Sequence, residues 1–134
     1  MLLALGAVPA FAQIEKFPEQ IQGFHKVCLE KMLNGKTPEP GADSALQLYD
    51  TGRAVGCETR HSLPKGQNAG SAVRGYQKAL LGTGLFWDAT ACVDSDLPFF
   101  GVLISKAKHH NGRRLNLGTV HYGNHVLWLY VQER

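Results

Sequence analysis

Residues 95–112 read SDLPFFGVLISKAKHHNG, and whether they form a helix or a strand decides the topology of the whole chain. A helix reading has clear ends. Ser95 or Asp96 can cap, Pro98 suits the first turn, and Gly112 suits a stop. Gly101, Ser105, Lys108 and His109 recur at helical spacing as a polar stripe, and Val102-Leu103-Ile104 does not alternate. Lys106, Lys108, His109 and His110 would fill a last turn, where the helix dipole favours cations. The strand reading rests on the hairpin signal Asn111-Gly112 and on the β-branched residues of 99–110. The helix is the expectation carried forward.

Downstream, Arg114–Tyr122 and His125–Gln132 flank Gly123-Asn124, a pair that suits a two-residue II′ turn. That turn would pair Tyr122 with His125 and Val120 with Leu127. Gly118, Val120, Leu127, Leu129 and Val131 would then share one face. Leu115, Leu117, Thr119, His121, Val126, Trp128 and Tyr130 would share the other. The spacing thus predicts a final hairpin with an aromatic face on which His121, Trp128 and Tyr130 form a secondary binding surface.

Upstream, Pro18 to Asn34-Gly35 brackets a first helix, with Ile21, Phe24, Cys28 and Met32 at three- and four-residue steps. A second helix is expected over Asp43–Val55, with Ala45, Leu48, Tyr49 and Gly52 on one face. Cys57–His61 is a short strand candidate. Ser71 can cap a third helix to about Leu81 with Val73, Tyr76 and Leu80 inward. Leu85–Val93 alternates as a strand. The resulting order is ααβαβαββ. It is an α+β domain with about four helices packed on a mostly antiparallel sheet, ending in a C-terminal β-hairpin.

At 134 residues and 19% charged, the chain is one ordinary domain with no composition signal for disorder. It has no stretch of about 18 apolar residues, hence no transmembrane span. Residues 1–12, MLLALGAVPAFA, end in Ala10-Phe11-Ala12, the small-x-small pattern of a signal peptide, although no Lys or Arg precedes the apolar run. The expected division is therefore 1–12 signal peptide and 13–134 single domain, exported to the periplasm or secreted.

Cys28, Cys57 and Cys92 form no C-x-x-C pair, which excludes a zinc knuckle and a thioredoxin-type motif. In an oxidising compartment two of the three would pair. If the first two helices pack antiparallel, Cys57 is too far along for Cys28, which leaves Cys28–Cys92 and Cys57–Cys92 open.

The six histidines match no metal or catalytic motif: HExxH, G-x-S-x-G and S-x-x-K are absent. No catalytic residue, metal or cofactor is assigned. Charge is more informative. Leu97–Gln132 holds no Asp or Glu but carries Lys106, Lys108, Arg113 and Arg114, a local +4. The remaining mature chain to Asp96 has nine Lys/Arg and ten Asp/Glu, or −1. Lys106, Lys108, His109, His110, Arg113 and Arg114 are the candidate binding residues for a protein or an anionic envelope component. A net charge of +3 is too modest for a dedicated nucleic-acid binder.

Phe24-x-x-x-Cys28 in the first helix, a second helix ending in glycine and a Cys92-Val93 strand together resemble small uncharacterised secreted or periplasmic proteins of proteobacteria. The resemblance covers most of residues 13–134. It implies a periplasmic location and a Cys28–Cys92 bridge, and no activity; Cys57 has no counterpart in it. The function expected from the sequence is a non-catalytic periplasmic or secreted partner-binding protein of inhibitor, immunity or envelope accessory type. The alternative is a small hydrolase that acts on an anionic polymer through a histidine and basic residues.

Overall fold

The computed structural model describes residues 13–39, 46–50, 55–90, 100–109, 112–123 and 125–133. Helix α1 runs without a break through Glu19–Phe24, a π-helical turn His25–Leu29, and Glu30–Leu33. Strands β1 (Leu46–Asp50) and β2 (Val55–Ser62) follow, then helix α2 (Ala69–Gly82). The rest is strand: β3 (Phe86–Asp88), β4 (Phe100–Ser105), β5 (Leu115–Tyr122) and β6 (Val126–Glu133). One six-stranded sheet results, in the order β1-β2-β6-β5-β4-β3, with every pairing antiparallel.

The expectation of about four helices on a sheet is therefore corrected: the described residues hold two helices on a larger sheet. Two segments account for the change. Residues 43–55 were expected as a helix, yet Leu46–Asp50 pairs with Val55–Thr59. A run as short as Leu46-Gln47-Leu48-Tyr49 satisfies either period, and a neighbouring strand decides between them. Residues 95–112 were also expected as a helix, yet Phe100–Ser105 is a strand between β3 and β5. Val102-Leu103-Ile104 fails to alternate because this strand is covered on both sides. Leu103 is fully buried toward the helices, and Val102 and Ile104 are buried with Ala89 on the opposite face.

The cap of helix α2 lies three residues before the expected Ser71. Asn68 is the cap, its Oδ1 accepting from the Ser71 backbone N–H at 2.9 Å. Val73, Tyr76 and Leu80 face inward as their spacing requires. Ile21, Phe24, Cys28 and Met32 of α1 are buried too. The π turn adds His25 and Leu29 to the inward surface, because it widens the helix by one residue there. Both helices lie on one face of the sheet, over Leu103, Leu115, Leu117, Leu127, Leu129 and Val131.

Cys28 on α1 is bridged to Cys57 on β2, with Cα atoms 5.7 Å apart. This overturns the Cys28–Cys92 expectation. Cys57 starts no separate element beyond a second helix; it sits within β2, directly beneath α1. Cys92 lies outside the described residues, as do residues 1–12.

Next to the bridge is a buried polar pair. The Tyr76 hydroxyl donates to His25 Nδ1 at 2.7 Å, and His25 Nε2 faces Glu30 Oε1 at 3.3 Å. Burial first, and Lys26 second, push the His25 pKa down from 6.5 to about 4. Burial, with Glu30 adding to it, holds the Tyr76 phenol well above 10.0. His25 is thus held neutral, able to accept from the tyrosine.

Two measurements follow from this core. The 29-residue separation makes the bridge worth roughly 3.5 kcal/mol in the chain-entropy model. The Cys28→Ala/Cys57→Ala variant should lose about that much in urea unfolding, and peptide mapping should recover the Cys28–Cys57 peptide. The His25 pKa is lowered on folding, so stability is complete above pH 6.5 and falls as pH drops from 6.5 toward 4. The unfolded chain takes up a proton there that the folded chain refuses. The loss should reach roughly 3 kcal/mol, and a His25→Gln variant should lack that part of the pH dependence.

Candidate functional site

The helices leave the other face of the sheet to be built by the alternate residues of each strand. Three cross-strand rows define it. Val120, Trp128 and Arg60 lie side by side on β5, β6 and β2. In the next row are Val102, Gly118, Tyr130 and Glu58. Beyond it come Ile104, Asn116 and Gln132.

The middle of this face is locked. A side chain on Gly118 would meet the Tyr130 ring at 1.9 Å, so the glycine is the space in which that ring lies. Tyr130 and Trp128 are tilted against each other at 41° with centroids 5.5 Å apart. The Trp128 Nε1–H donates to Glu58 Oε2 at 2.8 Å, and the Arg60 guanidinium lies 4.3 Å above the indole centroid. Burial raises the Tyr130 phenol above its usual 10.0, so it stays a neutral hydroxyl. Trp128 and Tyr130 are each half-buried.

His121 does not belong to this face. The turn at 123–125 takes up one residue more than the two-residue II′ turn requires, and Tyr122 pairs with Val126 rather than His125. A one-residue slip moves every side chain of one strand to the other side. Leu115, Leu117, Thr119 and His121 therefore join Leu127, Leu129 and Val131 under the helices, and Trp128 and Tyr130 face away. His121 is buried against Gly70 at the start of α2, with its Nδ1 2.9 Å from the Gly123 carbonyl oxygen. The expected surface of His121, Trp128 and Tyr130 is corrected accordingly. Trp128 and Tyr130 share it with Arg60 and Glu58, which sequence reasoning missed because nothing local ties β2 to β6. His121 and Tyr130 are on opposite faces of the sheet and share no site.

The basic residues occupy the connection from β4 to β5. Lys106, Lys108 and Arg114 are exposed, and Arg113 and His109 are half-buried. Burial lowers the His109 pKa. An isolated bridge joins His109 to Arg113, and Gly112 takes φ +74°, the left-handed conformation a tight turn needs. Lys108, Gly112, Arg113 and Arg114 line a shallow depression of about 270 Å³. His110 lies outside the described residues. The four cations are not the last turn of a helix, because the segment before them is β4. A helix dipole therefore does not account for them.

Among the described residues no three His, Cys, Asp or Glu side chains converge on one point, and no helix is long and apolar enough to cross a membrane. No protein family, curated protein or solved structure matches the chain.

The Gly118–Tyr130 contact is testable. Gly118→Val should displace the ring, change the near-ultraviolet circular dichroism and cost about 1–3 kcal/mol. In a Tyr130→Ala background the same substitution should be close to neutral, a coupling that a double-mutant cycle reads directly.

Proposed function

We propose that this chain is a non-catalytic binding protein of the periplasm or extracellular space that docks an anionic partner through the β4–β5 connection. The carrying observation is that Lys106, Lys108, Arg113 and Arg114 cluster on a strand-to-strand loop, with no helix end for them to complement. Lys106, Lys108 and Arg114 of this cluster are exposed. Charges gathered this way raise the local concentration of an anion and speed its encounter. The Cys28–Cys57 bridge supports an oxidising compartment, where such bonds persist. The apolar residues 1–12 with their Ala10-Phe11-Ala12 end support export.

The experiment is retention on an immobilised polyanion. The protein should elute at higher salt than a Lys106→Ser/Lys108→Ser/Arg114→Ser variant, whose affinity should be ~10-fold weaker at low ionic strength, mainly through the association rate. The variant's unfolding free energy should stay within ~0.5 kcal/mol of the parent. Co-elution of the two proteins would refute the reading.

A further inference from the structure

We infer that the end of the sheet bearing the basic loop docks on an anionic lipid bilayer, with Leu85 and Trp87 entering the headgroup region and the loop cations meeting the lipid phosphates. The inference rests on the anionic-partner reading above and names that partner's chemistry. It starts from the pairing of β3, β4 and β5. Trp87 lies opposite Ile104 and Phe86 opposite Ser105, and the Lys106 backbone N–H donates to the Leu85 carbonyl oxygen at 2.8 Å. Leu85 and Lys106 are therefore backbone neighbours where β3 starts and β4 ends. On the other side of β4, the Ser105 hydroxyl oxygen accepts from the Leu115 backbone N–H at 2.8 Å, which brings Arg114 to the same end. The Gly84 N–H donates to the Leu81 carbonyl oxygen at 3.2 Å, so the last turn of α2 finishes there as well.

Apolar side chains at this end are open to water. Leu81, Leu85 and Trp87 are 37%, 38% and 38% exposed, three of the five exposed large apolar side chains among the described residues. Apolar residues scattered singly over a surface need no explanation, but these are gathered beside the basic loop. Two carboxylates are near. Asp88 follows Trp87 at the end of β3 away from Lys106, and its Oδ1 accepts from the Thr90 backbone N–H at 2.8 Å. Glu133 lies opposite Leu115 and is buried. Lys106, Lys108 and Arg114 stay exposed.

The combination selects the partner. A soluble polyanion or an acidic peptide pairs with the cations and leaves Leu85 and Trp87 in water. A specific protein partner needs about 800 Å² a side of shape-matched contact, and the basic part of this end is only a shallow depression. A bilayer requires no matching shape. Its headgroup layer conforms to the protein, takes an indole at the boundary between acyl chains and water, and attracts Lys and Arg through its anionic lipids.

The test is flotation of the full chain, exported and oxidised, with vesicles of equal parts phosphatidylglycerol and phosphatidylcholine, and with vesicles of phosphatidylcholine alone. The mixed vesicles should bind at least about tenfold more tightly. Brominated acyl chains in them should quench the emission of the parent but not of Trp87→Phe, in which Trp128 is the remaining tryptophan. Leu85→Ser/Trp87→Ser, both at exposed positions, should bind the mixed vesicles about tenfold more weakly. It should still elute from the polyanion column at the parent's salt concentration, which also shows that it is folded. The three-charge variant should lose about a hundredfold on the vesicles. The bilayer inference falls if the two kinds of vesicle bind alike or not at all, if Leu85→Ser/Trp87→Ser floats like the parent, or if quenching persists in Trp87→Phe. The basic-loop reading then stands as long as the column separates the three-charge variant from the parent, and the partner is a soluble polyanion or an acidic protein. If the column does not separate them, both fall.

Discussion

The register of the β5–β6 hairpin is the constraint on which the rest of this molecule depends. With Tyr122 opposite Val126, the odd-numbered residues from Leu115 to His121 and from Leu127 to Val131 form a continuous apolar floor. Helices α1 and α2 cover that floor, whose buried polar residues on β5 and β6 are Thr119, His121 and Glu133. Thr119 Oγ1 accepts from Gln77 at 2.6 Å, and Gly101 leaves the space for that amide to approach. Shift the register by one residue and Trp128 and Tyr130 would have to be buried under the helices, where their polar ends would need new partners.

Around that floor the helices are tied at two points of different character. Cys28–Cys57 joins α1 to β2, the strand paired with β6 of the hairpin, acting mainly by restricting the unfolded chain. His25 and Tyr76 join α1 to α2 through a hydrogen bond inside the core, with the Phe24 and Tyr76 rings edge-to-face beside it. A buried pair of this kind stabilises only while both groups stay neutral, so the same contact that orients the helices makes the fold sensitive to acid.

The helices cover one side of the sheet, and the residues of the other side differ from strand to strand. On that other side buried Val102, Ile104 and Val120 lie toward β3 and β4, the aromatic pair lies at the middle, and Arg60 and Glu58 lie on β2.

Much of this was legible in the chain by itself. Periodicity marked the inward faces of both helices, the strand positions of β5 and β6, and the charge asymmetry that locates the basic loop; these are local properties, determined by spacing and composition. Residues 46–50 and 100–105 were not legible. Their short apolar runs satisfy helix and strand alike, and hydrogen bonds to strands distant in sequence decided the matter. The Cys28 partner, the pairing of Arg60 and Glu58 with Trp128, and the one-residue register of the last hairpin belong to the same class. Each depends on which segments the burial of the whole apolar surface brings side by side, and that is a property of the tertiary structure alone.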